Sequence, residues 1–220
     1  MRPKVCLVVG MGRGIGLSVA RRFGREGYRL GLVARNEASL ENYAGALELD
    51  GYTVGRFPAD VSRTSQLISA VREAEKQLGP IEVLVYNAYA SQESRASELS
   101  LEALEETLKV NLYGALVAAQ LVIPGMLSRR KGTLLFTGGG LALNPQPDRA
   151  ALSIGKAALR ALVGALSKEL YHEGIHVATV TIAGQIRRNT PFDPDLIAEK
   201  FWELHAQPPG QWKTEIVYQG

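Results

Sequence analysis

Apolar residues fall along this chain in short continuous runs that alternate with longer segments of helical spacing. Val5 to Val9 is one such run, short and β-branched enough for a strand buried on both faces. Ile15, Leu17, Val19, Ala20 and Phe23 then recur as one helical stripe. The alternation repeats. Strands are expected over Tyr28–Ala34, Thr53–Pro58, Ile81–Tyr86, Leu134–Thr137 and His176–Ile182. Helices are expected from Glu37 to about Asp50, Ser65 to Leu78, about Leu101 to Arg129, and Arg149 to Tyr171. A further segment, Phe192 to His205, reads as a substrate-side helix or lid, and about Thr214 to Tyr218 as a strand closing the sheet edge. Strands alternating with helices imply one α/β domain over residues 1–220, a doubly wound parallel sheet with right-handed crossovers. Ligand in such a sheet binds at the carboxyl ends of the strands, where strand order reverses.

The first strand runs into Gly10, Gly12, Gly14 and Gly16. Glycine lets a phosphate approach the backbone closely, and the following helix start offers unpaired N–H groups to it. A pyrophosphate explains this density of glycine better than an ordinary connection, so the sheet reads as Rossmann-type. The spacing is G-x-x-x-G-x-G through Gly10, Gly14 and Gly16, because Ile15 stands where G-x-G-x-x-G needs glycine. At the end of the second strand, Ala34 takes the place of the acid that NAD binders use for the ribose, and Arg35 and Asn36 follow. Arg35 and Arg13 converging on a 2′-phosphate favour NADP over NAD; the alternative is that both are solvated surface arginines. Asp60, ahead of Val61, ends the third strand beside the expected adenine pocket, although Asp60 or Ser62 could equally cap the next helix. Asn111, in the apolar stretch VNLYGAL, needs a hydrogen-bond partner.

Composition narrows the choices. The chain has 220 residues, 46% hydrophobic and 21% charged, enough for one sizeable core. A net charge of +3, scattered rather than blocked, argues for neither nucleic acid nor an acidic membrane surface. Cys6 is the one cysteine, so no internal disulfide forms. MRPK leads straight into the first strand with no signal-like segment, and no run reads as long enough to span a bilayer. A cytoplasmic protein is expected. His172, His176 and His205 lack metal-ligand spacing, and neither G-x-S-x-G nor G-K-[ST] occurs.

The glycine spacing resembles the short-chain dehydrogenase/reductase family, and the resemblance continues along the chain. Asp60-Val61 matches a pair that contacts adenine, and Asn87-Ala88 matches half of the family's Asn-Asn-Ala-Gly. Asn111 matches an Asn that disrupts a helix and holds a water linked to the catalytic Lys. Lys156, in Lys156-Ala157-Ala158-Leu159, matches that Lys. Ala183-Gly184 is similar to the family's Pro-Gly turn, which extends the implied cofactor contacts to Gly184 and Ile186. The family pairs its subunits through the two long helices, so a homodimer or homotetramer is implied.

Two groups depart from the family pattern. A Tyr four residues before the Lys would protonate the carbonyl, and a Ser thirteen residues before that Tyr would steady its oxygen. Leu152 and Gly139 stand in those places. Ser153 is about a hundred degrees round the helix from Leu152, and Arg149 fills the place that enoyl reductases give their Tyr. Three accounts stay open. The chain reduces an activated C=C, with backbone N–H groups around Gly138 to Gly140 as oxyanion site; or a displaced acid acts, Tyr89 first, then Asp148, Arg149 or Ser153; or the chain binds NADP silently as sensor, scaffold or partner. Phe192, Phe201 and Trp202, in a lid segment of about 188–212, suggest an apolar small-molecule substrate, unless they are core.

Overall fold

The computed structural model describes residues 4–220; Met1 to Pro3, part of the MRPK start, lie outside the described residues. Seven parallel strands form one sheet: β1 (Val5–Val9), β2 (Arg29–Ala34), β3 (Val54–Pro58), β4 (Ile81–Tyr86), β5 (Gly132–Gly139), β6 (Ile175–Ile182) and β7 (Glu215–Tyr218). Their spatial order is β3-β2-β1-β4-β5-β6-β7. The chain winds outward from β1 to β3, then crosses back to β4 and winds the other way. The order therefore reverses between β1 and β4, and a crevice opens above their carboxyl ends.

Period-two alternation explains why whole strands are apolar. Val5, Leu7 and Val9 join the core beneath α3 (Thr64–Leu78), α5 (Gly114–Arg129) and α6 (Ala150–Leu170). Cys6 and Val8 point into the opposite core, under α1 (Ile15–Arg25), α2 (Glu37–Leu49) and α7 (Pro194–His205). Fully burying a side chain such as Phe136 or Leu84 contributes about 1.5–3 kcal/mol.

Four expectations need correction. First, the helix expected over 101–129 is α4 (Leu101–Leu108), a π turn (Lys109–Tyr113) and α5 in succession. The turn widens the helix at Asn111, whose side chain leaves the stripe to bond the backbone of Ala90. Second, β5 extends through Gly138 and Gly139, because both pair with Thr181 and Ile182 of β6. Both belong to the ladder, and Gly140 is the first residue beyond it. Third, α7 is a core helix, not a lid. Ile197, Ala198, Phe201 and Leu204 are buried against α1 and the sheet, and Trp202 lies under the Arg22 guanidinium. Fourth, Leu101–Arg129 and Ala150–Glu173 do reach the length and mean hydropathy of a membrane span, 1.6 and 1.3. Their apolar windows are 39% and 50% buried inside the fold.

Candidate functional site

A cleft of about 1090 Å³ opens at the carboxyl ends of β1, β2, β4 and β5, and the glycine turn forms its floor. Gly10 has φ +89°, and a Cβ there would lie 2.2 Å from the Ala88 nitrogen, so only glycine fits. This contact brings β1 and β4 together at the switch point. Gly12 and Gly14 face open space instead, as a turn that receives a bulky anion requires. Ile15 and Gly16 open α1 with their backbone on the cleft wall.

On the β2–β3 side, Arg13, Arg35, Asp60 and Val61 all line the cleft, and both arginines are exposed. Partial burial works against the Asp60 charge. Two hydrogen bonds from Ser62 and the charges of Arg35 and Arg63 outweigh it and hold the carboxyl below its usual range. Asp60 therefore forms a turn with Ser62 and caps nothing; the residue preceding α3 is Arg63. Asn36 stands apart from the cleft lining. Its Oδ1 accepts from the Ser39 N–H and caps α2, so its assignment to cofactor is corrected.

Asn87 and Ala88 line the middle of the cleft. Asn87 donates from Nδ2 to the Gly10 carbonyl (2.9 Å) and accepts from Thr137 Oγ1 (2.8 Å). It is a strut joining the ends of β1, β4 and β5. Thr137 is a junction that the sequence reading missed, for its carbonyl also accepts from Lys156 Nζ at 2.7 Å. A threonine ending an otherwise apolar strand was the available signal. Burial alone lowers the Lys156 ammonium to about 8. The Tyr89 ring centroid lies 6.0 Å from Lys156 Nζ, and Tyr89 is 65% exposed, so it does not serve as core packing.

Asn111 is buried and does not line the cleft. Its Oδ1 accepts from the Ala90 N–H (2.7 Å) and its Nδ2 donates to the Ala90 carbonyl (2.9 Å). Through these two bonds Asn111 positions the chain next to Tyr89. Gly155 lets α6 come this close, since a Cβ there would meet Asn111 Nδ2 at 2.9 Å.

A family model of short chain dehydrogenases matches residues 4–191. The chain belongs to the short chain dehydrogenase family. It is 28% identical to 2-(S)-hydroxypropyl-CoM dehydrogenase 3 of Xanthobacter autotrophicus, over 97% of this chain and 86% of that one. It is 30% identical to 2,3-dihydro-2,3-dihydroxybenzoate dehydrogenase of Bacillus subtilis, over 81% and 68%. Two solved structures share its fold closely. One is a metagenomic short-chain oxidoreductase in complex with NADP (TM-score 0.89, 25% identity, 97% and 96% covered). The other is an alcohol dehydrogenase from the archaeon Thermococcus sibiricus complexed with 5-hydroxy-NADP (TM-score 0.87, 26% identity, 99% and 98% covered).

The far end of the cleft in this short chain dehydrogenase separates the remaining candidates. Tyr89 and Arg149 line it, as do Leu152, Gly184 and Ile186. Asp148 and Ser153 do not. The Ser153 hydroxyl donates to the Arg149 carbonyl, and the Asp148 carbonyl accepts from the Ser94 N–H. The aromatic residues expected in a substrate pocket are elsewhere. Phe201 is core, and Phe192 packs edge-on against Tyr218. No residue of 188–212 lines the cleft; the loop Gly184–Ile186 does so instead.

Proposed function

We propose that this short chain dehydrogenase is an NADP(H)-linked oxidoreductase that handles protons without the family's Tyr and Ser. The observation that carries the reading is a single cleft joining the glycine turn and two arginines to Lys156. NADP in one structural relative and 5-hydroxy-NADP in another support the cofactor class. The open turn at Gly12 and Gly14 fits a pyrophosphate, held by Gly10, Gly16 and the Ile15 N–H at the start of α1. Arg13 and Arg35 take the 2′-phosphate, and Asp60 and Val61 flank the adenine. Asn87 and Ala88 shape the wall beside the ribose, Lys156 holds its hydroxyls, and Gly184 and Ile186 close the nicotinamide end. When bound, the cofactor supplies or accepts a hydride.

The proton is the protein's task. Leucine at 152 has none to give, and glycine at 139 offers only backbone. Tyr89 brings a phenol into the cleft with its ring centroid 6.0 Å from Lys156 Nζ, and Asn111 fixes the chain beside it through Ala90. It serves as proton donor. A conjugated C=C suits this site better than a ketone, because the proton then goes to carbon and no hydroxyl need sit where Leu152 sits.

Fluorescence titration tests the reading. NADPH is expected to bind at least about tenfold tighter than NADH, with Arg35→Ala narrowing the gap, in line with a charge-assisted phosphate contact. Affinity for NADH equal to that for NADPH contradicts it. Turnover is then sought with enones, enoyl thioesters and ketones in the same cuvette. Reduction of the C=C substrates alone, lost on Tyr89→Phe, supports the altered reductase. Binding with no turnover across the panel favours a silent dinucleotide-binding protein, the reading that Leu152 and Gly139 support.

The same chain is proposed to be a homodimer or homotetramer. Leu101, Tyr113 and Leu127, on the α4–α5 segment, and Ile154, on α6, are all exposed by more than a third. They form apolar surface on the two long helices that subunit pairing would cover. Light scattering at micromolar concentration is expected to give at least twice the chain mass of 23.8 kDa, and a monomer refutes the assembly.

A further inference from the structure

Five charged side chains line the cleft among the described residues: Arg13, Arg35, Arg149 and Lys156, with Asp60 as the one acid. The sheet order divides them. Arg13, Arg35 and Asp60 follow β1, β2 and β3, whereas Arg149 and Lys156 follow β5, across the reversal. Two cations therefore stand at the substrate end. Lys156 is buried with its ammonium on the Thr137 carbonyl. Arg149 is not committed in this way. Its guanidinium meets Glu93 through one contact of 3.2 Å, and the two side chains are 45% and 76% exposed.

An ion pair that exposed contributes little, so a better-placed carboxylate can displace it. The guanidinium fork binds carboxylates through two parallel N–H donors, which the single Glu93 contact does not use. Arg149 is also well placed for the task. Its carbonyl accepts from the Ser153 hydroxyl and N–H at the start of α6. The segment that carries Glu93 is stitched alongside, with the Ser94 N–H on the Asp148 carbonyl and the Ala96 N–H on the Pro147 carbonyl. The cleft that Arg149 lines also carries apolar side chains, Leu141, Leu152 and Ile186, and the Tyr89 ring.

Resting on the reading of this cleft as a dinucleotide and substrate site, we infer that the substrate is an organic carboxylate with an apolar body, its anionic end bound by Arg149 in exchange for Glu93. Arg149 is then a specificity residue. The exchange releases the Glu93 carboxylate to solvent, while the Ser94 and Ala96 backbone bonds keep its segment in place.

Matched probes decide the matter. Benzoate against benzamide, and butyrate against butyramide, are titrated calorimetrically into the protein with NADPH present. Each acid is expected to bind at least about tenfold tighter than its amide, the preference of a charge-assisted pair over a neutral one. Arg149→Gln removes that preference while leaving NADPH affinity within about twofold, and Arg149→Lys restores it in part. Glu93→Gln tightens the acids severalfold, since the internal competitor is gone. Acids and amides binding alike, or both absent, overturns the inference, as does a preference that survives Arg149→Gln. Should NADPH itself fail to bind, that failure belongs to the dinucleotide reading. The acid preference and its loss in Arg149→Gln are then read on the protein alone.

Discussion

A chain carrying Gly139→Ser together with Leu152→Tyr is expected to reduce simple ketones with NADPH at least about 10²-fold faster than the unaltered protein, the usual contribution of one general acid. The scaffold for this gain is in place. Leu152 and Lys156 lie one turn apart on α6, both in the cleft lining, and Leu152 is 7% exposed. A tyrosine at 152 would stand beside a buried ammonium, whose charge favours the phenolate and lowers the cost of giving up the proton. A Cβ at 139 meets nothing nearer than the Lys156 methylenes at 3.5 Å, an ordinary contact, so serine enters without displacing the backbone. Leu152→Tyr alone should recover part of the rate and Gly139→Ser alone almost none, because the serine steadies an oxygen that the tyrosine must protonate. The measurement is ketone-dependent NADPH oxidation, with thermal unfolding and NADPH titration as controls. A folded, NADPH-binding double variant that stays at background would show that a tyrosine at 152 and a serine at 139 do not equip this cleft for carbonyl chemistry.

Lys156→Met should separate binding from stability. Turnover of whatever the cleft reduces is expected to fall by about 10²-fold or more, with weaker NADPH binding, because the substitution removes the proposed charged partner of the ribose. Stability moves the other way and depends on pH. Burial lowers the ammonium from 10.5 to about 8 in the folded chain. Below pH 8 both folded and unfolded chains are protonated, and the folded one bears the full cost of a buried charge. Between about 8 and 10.5 the unfolded chain still holds the proton that the folded chain has released, so stability of the unaltered protein rises with pH. A shift from 10.5 to about 8 corresponds to a change on the order of 3 kcal/mol across that window. The methionine variant lacks the titration. Urea unfolding at several pH values should therefore show it more stable near neutrality, with the advantage shrinking as pH rises towards 10.5. A difference that does not vary with pH would mean that Lys156 keeps its ordinary proton affinity when folded.

The architecture was legible because it rests on local patterns. Continuous apolar runs gave the strands, and the glycine spacing gave the turn at the switch point. Lys156 and Asn111 came from a resemblance, as did the departures at Leu152 and Gly139. Tertiary decisions were harder to read. Asn36 could point to a phosphate or back to its own helix, and only the Ser39 contact chooses. Phe201 and Trp202 carry the same letters in a lid or in a core; the fit of α7 on α1 decides. Thr137 looked like the last residue of a strand, while its hydroxyl and carbonyl hold Asn87 and Lys156. Arg149 was weighed as a proton source because its helix position was known, whereas its partner Glu93 lies 56 residues away in sequence.

The π turn at Lys109–Tyr113 has a consequence for how this protein tolerates change. It holds one more residue than an α-helical turn would, so α4 and α5 are rotated relative to an unbroken helix. That rotation lets α4 lie against α6 while α5 lies against α3, and it aims Asn111 at Ala90 between them. Losing one residue there would swing everything upstream by about a hundred degrees and pull Asn111 off its partner. Insertions and deletions in this stretch should therefore be rarer than substitutions: the cleft depends on its length more than on its letters.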